Sequence, residues 1–209
     1  MSSSIKGRFI TFEGIDGCGK STQVHMLGKV LESRGIAYIV VREPGGSDIS
    51  EQIRNILLHS GGDELNERTE ALLMTASRAQ LTGEIIIPAL EAGTWVLADR
   101  FADSTLAYQG GGRSLGLDWL RKLNDFATFN LQPDITFFVD VNPETGLKRQ
   151  SVHPDRIERA GLAFQESVRS TYGALVKLFP RRLITIDGEK TIDAIHQNII
   201  SILENRKIL

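Results

Sequence analysis

Phe9-Ile10-Thr11-Phe12-Glu13-Gly14-Ile15-Asp16-Gly17-Cys18-Gly19-Lys20-Ser21-Thr22 is the stretch from which the fold of this chain is read. Residues 14–21 match the phosphate-cradling pattern G-x-x-x-x-G-K-[ST], here with Ile15, Asp16, Gly17 and Cys18 in the variable places. An apolar run, Phe9–Phe12, precedes the loop, and Gln23–Leu31 follows it with apolar residues at helical spacing. Strand, loop and helix in that order are the context that the motif needs. Gly14, Gly17 and Gly19 let the backbone approach anionic oxygens, and the helix N-terminus adds a partial positive charge. Lys20 is expected to reach the β and γ phosphates of a nucleotide, with the Ser21 hydroxyl on a Mg²⁺ ion and Thr22 completing the loop. A glycine-rich turn carrying a chance Gly-Lys-Ser is the bland alternative, and the flanking strand and helix argue against it.

The composition sets the frame. With 209 residues, 41% hydrophobic and 24% charged, the chain suits one compact domain spanning 1–209, and no linker, repeat or low-complexity tract divides it. The net charge of -2 lacks the basic excess of a dedicated nucleic-acid binder, so anionic ligands must be met by local groups. Cys18 is the single cysteine, which excludes an internal disulfide and a cysteine-rich metal site. No signal peptide or long apolar run is present, so a cytoplasmic protein with no membrane partner is expected. Cys18 is read as a small residue filling the loop in preference to a reactive thiol, because no histidine stands nearby in sequence to act as its base.

Further β-rich runs occur at Tyr38–Val41, Trp95–Ala98, Ile135–Val139 and Leu183–Ile186, each separated from the next by helical pattern. Near-continuous apolar strands alternating with helices imply an α/β fold: a five-stranded parallel sheet with helices on both faces, as in P-loop NTPases. Helices are predicted over 48–59, 67–92, 101–109, 115–129, 143–151, 162–178 and 190–205, with Pro143 in a first turn and Asp118 and Thr191 at helix starts. Ligands gather beyond the carboxyl ends of such strands, which singles out Glu13, Arg42-Glu43, Asp99-Arg100, Asp140 and Asp187. Gly110-Gly111-Gly112 suggests a backbone bend or a helical C-cap. The polar segment Gln150–Asp155 reads as a mobile loop within a short lid at about 149–161.

Asp99-Arg100 ends a buried strand, with the carboxylate placed to hold Mg²⁺ through water and the guanidinium to grip a phosphate bidentately; a surface ion pair is the alternative. Asp99-Arg100-Phe101 with Ser104, then Ala107-Tyr108-Gln109-Gly110-Gly111-Gly112-Arg113, resembles the signature of the thymidylate kinase family. Arg42-Glu43-Pro44-Gly45-Gly46, Phe12-Glu13-Gly14 and Asp155-Arg156-Ile157-Glu158 resemble further marks of that family, in order, from about residue 8 to residue 187. The resemblance implies phosphorylation of dTMP to dTDP by ATP with Mg²⁺, in dTTP synthesis, by a homodimer built from helix faces. It implies that Asp16 approaches the sugar 3′-hydroxyl and the transfer region, although a turn residue bonding its own backbone reads the same way. It places Arg42 and Arg100 on the acceptor phosphate, Arg54 nearby, Arg78 on the thymine carbonyl, Thr105 and Gln109 on the base edge and Tyr108 at the deoxyribose, with Glu13 also among the substrate residues. Met74 and Arg78 stand at i and i+4 on one helical face, whereas a lone arginine on a surface helix is often merely solvated.

Two positions depart from the family pattern. At Met74 an aromatic commonly stacks on thymine, and methionine keeps a polarizable apolar contact at a loss of about 1 kcal/mol at most. The phosphate loop carries no arginine, which assigns the chain to the bacterial type with lid arginines, yet Gln150-Ser151-Val152-His153-Pro154 contains none. An arginine finger contributes roughly 10³ to 10⁵ in rate, or about 4 to 7 kcal/mol, so its bearer matters. Arg149 is the first candidate and Arg156 the second, while Lys148 lacks the planar fork. Leu57, Leu58, Leu72 and Leu73 serve either the core or a dimer face. A deoxynucleoside or other small-metabolite kinase remains the alternative enzyme, though a neutral acceptor needs fewer cations than Arg42, Arg78 and Arg100. A nucleotide switch lacks its guanine-reading segment, since Asp140-Val141-Asn142-Pro143 stands there; a nucleotide-binding module without efficient turnover is the third possibility.

Overall fold

Five buried side chains in a row make Phe9–Glu13 the central strand, β1, because helices cover both of its faces. The structure is a computed structural model that describes residues 7–59, 65–149 and 155–209. After β1 and the phosphate loop come α1 (Lys20–Ser33), β2 (Tyr38–Arg42), α2 (Asp48–His59) and α3 (Glu67–Leu81). A π-helical turn, Thr82–Ile86, leads into α4 (Ile87–Glu91), then β3 (Trp95–Asp99), α5 (Ala102–Thr105), a second π-helical segment at Leu106–Gly112, and α6 (Leu117–Ala127). The chain continues through β4 (Ile135–Asp140), α7 (Pro143–Lys148), a 3₁₀ turn at Glu158–Ala160, α8 (Leu162–Leu178), β5 (Leu183–Asp187) and α9 (Ile192–Asn205).

The strands pair in parallel in the order β2-β3-β1-β4-β5, with Ile10 opposite Leu97 on one side and Ile135 on the other. Alternate side chains point to opposite faces. Ile10 and Phe12 enter a layer with Val24, Leu27 and Leu31 of α1 and Ile195, Ile199 and Leu203 of α9. Phe9 turns the other way, onto Leu81, Leu90 and Phe101. Thr11 shares that second face, and its hydroxyl pairs with Thr136 of β4 at 2.6 Å, so neither buried hydroxyl is orphaned. Glu13 continues the same face one step further, which sends its carboxylate under the site and toward α8.

The sequence periodicity located every strand, and the ends of α2 and α8 coincide with those expected. Asn66, Asn142 and Thr191 accept hydrogen bonds from Arg68, Glu144 and Ala194 backbone N–H groups, capping α3, α7 and α9. Thr191 therefore stands just outside its helix. The 67–92 stretch is helical throughout but changes type: Pro88 has no N–H to return to the preceding turn, and the π turn lies over that gap. Gly110–Gly112 form neither a left-handed cap nor a bend; they end the second π segment. A Cβ on Gly111 would sit 2.0 Å from Thr171 Oγ1 and one on Gly112 2.3 Å from the Phe164 ring, so these glycines let the segment press onto α8. Leu57 and Leu58 belong to the core, whereas Leu72 is half exposed. The expected lid residues 150–154, His153 included, lie outside the described residues.

Candidate active site

A cavity of about 710 Å³ opens where the carboxyl ends of β1, β2 and β3 meet the phosphate loop. Residues 16–23 form one wall, Arg42, Asp99 and Arg100 the strand ends, and Met74, Arg78, Thr105, Tyr108 and Gln109 the far end. Gly17, at φ +76°, faces α7 so closely that a Cβ there would lie 2.3 Å from the Gly146 carbonyl oxygen and 3.2 Å from Arg149 Cβ. A Cβ on Gly146 would in turn lie 2.7 Å from the Asp16 carbonyl oxygen. This pair of glycines seats α7 on the loop and delivers Arg149, the residue that follows the helix, to the cavity wall. The Lys20 ammonium donates to the carbonyls of Ile15 at 2.9 Å and Gly14 at 3.3 Å, folding over the loop it serves. Ser21 Oγ donates to Asp99 Oδ2, bringing two hard oxygen donors together at the start of α1. Cys18 is buried as loop filling.

Arg100 sits at φ +73°, a left-handed conformation that costs a non-glycine residue on the order of 1 to 2 kcal/mol. Its side chain repays the strain with contacts. Nη1 donates to Gly14 O at 2.8 Å and Ser104 Oγ at 3.2 Å, and Nη2 to Asp16 Oδ1 at 2.5 Å and Tyr108 Oη at 2.8 Å. The guanidinium also covers the Tyr108 ring at 4.8 Å, and Tyr108 donates to Asp16 Oδ2 at 2.9 Å. Burial alone would raise the Asp16 pKa, but the charges of Arg100 and Lys20 outweigh it and hold the carboxylate below its usual range. Beneath this cluster, Glu13 accepts from Phe101 N–H at 2.8 Å, Ser104 Oγ at 2.6 Å and Tyr172 Oη at 2.7 Å. Burial, aided by the charge of Asp103, pushes the Glu13 pKa up to about 7.

At the far end Arg78 is buried and fully engaged. Nε donates to Glu43 Oε2 at 2.7 Å, Nη1 to Thr105 Oγ1 at 2.7 Å and Asn124 Oδ1 at 2.8 Å, and Nη2 to Phe101 O at 3.0 Å. Arg78 Nη2 also pairs with Glu43 at 2.5 Å. Because Thr105 Oγ1 accepts from Arg78, its own proton is free to point elsewhere. Gln109 Nε2 donates to the buried carboxylate of Glu70 at 2.7 Å. Arg42 is the most exposed cation of the strand ends, meeting Glu51 only at 3.5 Å. Arg54 donates to Pro44 O at 2.7 Å and keeps its guanidinium at the cavity wall.

A family model described as thymidylate kinase matches residues 12–199. The chain belongs to the thymidylate kinase family. The thymidylate kinase of Fervidobacterium nodosum is 49% identical over 195 residues, covering 93% of this chain and 97% of that one. That of Lactobacillus helveticus is 46% identical over 210 residues, covering 97% and 98%. The crystal structure of thymidylate kinase from Ehrlichia chaffeensis superposes with a TM-score of 0.79 at 33% identity, covering 94% of this chain and 98% of that one.

Most residues expected at the site, from the phosphate-loop motif, the strand ends and the thymidylate kinase resemblance, meet at this cavity: Asp16 to Thr22 of the loop, Arg42, Arg54, Met74, Arg78, Asp99, Arg100, Thr105, Tyr108, Gln109 and Arg149. Three do not. Gly14 and Ile15 lie behind the loop surface, and Glu13 is buried with both oxygens committed to protein donors, so it supports the substrate site without lining it. Arg156, the second finger candidate, points away, donating to Leu57 O at 3.0 Å and pairing with Glu70. Among the strand-end residues, Asp140 is held bidentately by Arg169 away from the cavity. Arg182 is turned inward onto Asp103 and Thr136 and does not line the cavity. The turn after Asp187 does reach the cavity, through Gly188 and Lys190. Sequence reasoning missed Glu70, Asn124 and Tyr172, each of which acts through a partner distant in the chain; the one available hint was a charged or amide group on an otherwise apolar helical face.

Proposed function

We propose that this chain transfers the γ-phosphoryl group of ATP to the 5′-phosphate of dTMP, giving ADP and dTDP for dTTP synthesis. The observation that carries the reading is one cavity joining a phosphate loop to a second, cation-lined end that closes on Arg78, Thr105 and Gln109. Two polyanions must be neutralised and aligned, and little covalent help is required of the protein. ATP lies along residues 16–22, with Lys20 leaving its loop carbonyls for the β and γ phosphates. The turn at Gly188–Lys190 borders the adenine end. Arg42 and Arg100 meet the dTMP phosphate, with Arg54 near the same pocket. Arg100, held by Asp16 and Tyr108, faces the transfer region from the strand end. Met74 covers the base as an apolar surface, and Thr105 and Gln109 read its edge. Tyr108 and Asp16 border the deoxyribose.

Mg²⁺ fits the residues present: Ser21 Oγ and Asp99 are oxygen donors in contact. A Mg²⁺ ion at a phosphoryl-transfer site is held largely by phosphate and water, with one or two oxygens from the protein. When bound, the ion neutralises charge between the β and γ phosphates. Arg149 is the arginine finger, because α7 brings it to the cavity wall and, among the described residues, no carboxylate pairs with it.

The whole chain acts as one nucleoside monophosphate kinase domain with a lid at about 149–161, working in the cytoplasm. Among the described residues no helix is long and apolar enough to cross a membrane. We further propose a homodimer, supported by exposed Ile49 and Ile56 on α2, Leu72 on α3, and Trp119 and Phe126 on α6. The test is ADP release from ATP and Mg²⁺ with dTMP, dUMP, dGMP, thymidine or no acceptor. Turnover is expected with dTMP, with at most weaker use of dUMP. Preference for thymidine, or equal hydrolysis without acceptor, would overturn the assignment.

A further inference from the structure

Glu70, in the first turn of α3, has no solvent exposure, yet it is charged and receives three side chains, two from the second π segment and its C-cap and one from the segment before the 3₁₀ turn. Gln109 Nε2 donates to Oε1 at 2.7 Å from the π segment beside α5. Arg113 follows, with Nη2 3.2 Å from Oε2, and its guanidinium lies 4.7 Å over the Phe164 ring of α8. Arg156, in the arm by which the lid returns to the fold, places Nη2 2.7 Å from Oε2, an ion pair whose N–H is poorly aligned with the oxygen. Burial opposes the charge on Glu70, but the Gln109 amide and the two guanidinium groups outweigh it and hold the carboxyl below its usual range. An ionised carboxylate only accepts, so Gln109 must offer it nitrogen, and the amide cannot flip. The oxygen of Gln109 is thereby fixed in orientation at the acceptor end of the cavity.

Arg156 does not line the cavity, but its neighbours Asp155, Ile157 and Glu158 do. The same carboxylate that sets the Gln109 amide therefore holds the segment by which the lid returns to the fold. We propose that Glu70 is a positioning residue that couples recognition of the acceptor base, through Gln109, to the seating of the lid's return segment, through Arg156. The proposal rests on the reading that Gln109 contacts the base of dTMP.

A double-mutant cycle tests it, with dTMP affinity measured by titration calorimetry in the absence of any ATP, so that contacts between lid and ATP do not enter. Gln109→Ala should weaken dTMP at least fivefold; unchanged affinity would refute the acceptor reading itself. Arg156→Leu should weaken dTMP about three- to tenfold, although Arg156 touches no substrate, and Arg156→Lys should recover part of the loss. In the Gln109→Ala background the Arg156→Leu effect should shrink to less than twofold, because the shared partner no longer acts on the base. Glu70→Gln should match the loss in Gln109→Ala or exceed it. If Gln109→Ala weakens dTMP while Arg156→Leu has no effect, or the two losses simply multiply, Glu70 is only a structural anchor and the proposal fails. The cycle uses no Glu70 variant, so it decides the matter even if Glu70→Gln does not fold.

Discussion

Replacing Gly146 by alanine isolates the seating of α7 on the phosphate loop. Gly146 is helical and carries no positive φ, so alanine introduces no backbone strain there and gains up to about 1 kcal/mol in helix propensity. Its Cβ, however, would fall 2.7 Å from the Asp16 carbonyl oxygen and 2.9 Å from Ile15 Cδ1, where ordinary contacts begin at 3.4 Å. The isoleucine side chain can turn aside, but the loop carbonyl cannot. The helix must retreat by roughly 0.7 Å, carrying Arg149, and a misplacement near 1 Å costs about 10² in rate. We expect kcat for dTMP at saturating substrates to fall about 10- to 100-fold in an ADP-release assay, with the melting temperature within a few degrees of wild type. The loss should vanish in an Arg149→Ala background, where no finger is left to misplace. Gly17→Ala would press on the Gly146 carbonyl oxygen from the loop side, at 2.3 Å, and adds left-handed strain. Gly35→Ala, at φ +69° with nothing nearby, should lose stability and keep its activity. A Gly146→Ala enzyme with kcat within twofold of wild type would refute the reasoning and detach Arg149 from the geometry of α7.

Arg149→Ala should lower kcat by about 10³ to 10⁵ with little change in melting temperature, and Arg149→Lys should recover only part of it, as steady-state kinetics will register. Met74→Phe should lower KM for dTMP about two- to fivefold through stacking, measured against an unchanged KM for ATP. Glu13 has a raised pKa of about 7, so the folded state keeps a proton that the unfolded chain releases near 4.5. Its contribution is therefore greatest below pH 4.5 and is lost as pH rises to 7, by on the order of 3 kcal/mol. In urea unfolding, Glu13→Gln should flatten that slope, and an unchanged slope would contradict the assignment. Leu72→Asp combined with Phe126→Asp should yield a monomer by light scattering if α2, α3 and α6 form the dimer face.

The strands and most helices were legible because their signals are local. Phe9–Phe12 reads as a buried strand, Gly14–Ser21 as a phosphate loop, and 48–59 as an amphipathic helix without reference to anything distant. Asp99-Arg100 was legible as a site because a strand end beside such a loop has few other uses. The helical types within 67–92 and 101–112 were not, since an α-to-π change depends on what each turn packs against.

Side-chain fate divides along the same line. Sequence alone determined the sheet, the phosphate loop, the cations that two polyanionic ligands require and the family to which they point. Nothing in the sequence around Arg78, Arg156 and Arg182 tells which partner each will take, but each is consigned by packing to a different carboxylate: Glu43, Glu70 and Asp103. Those partners lie 35 to 86 residues away, as for Arg78 with Glu43 and Arg156 with Glu70, and only the closed fold brings them together. A buried charge must be paired or its cost is several kcal/mol, so tertiary structure, which decides what is buried, also decides which arginines are free to bind phosphate. By that criterion Arg42, Arg54 and Arg149 remain available, and Arg156 does not.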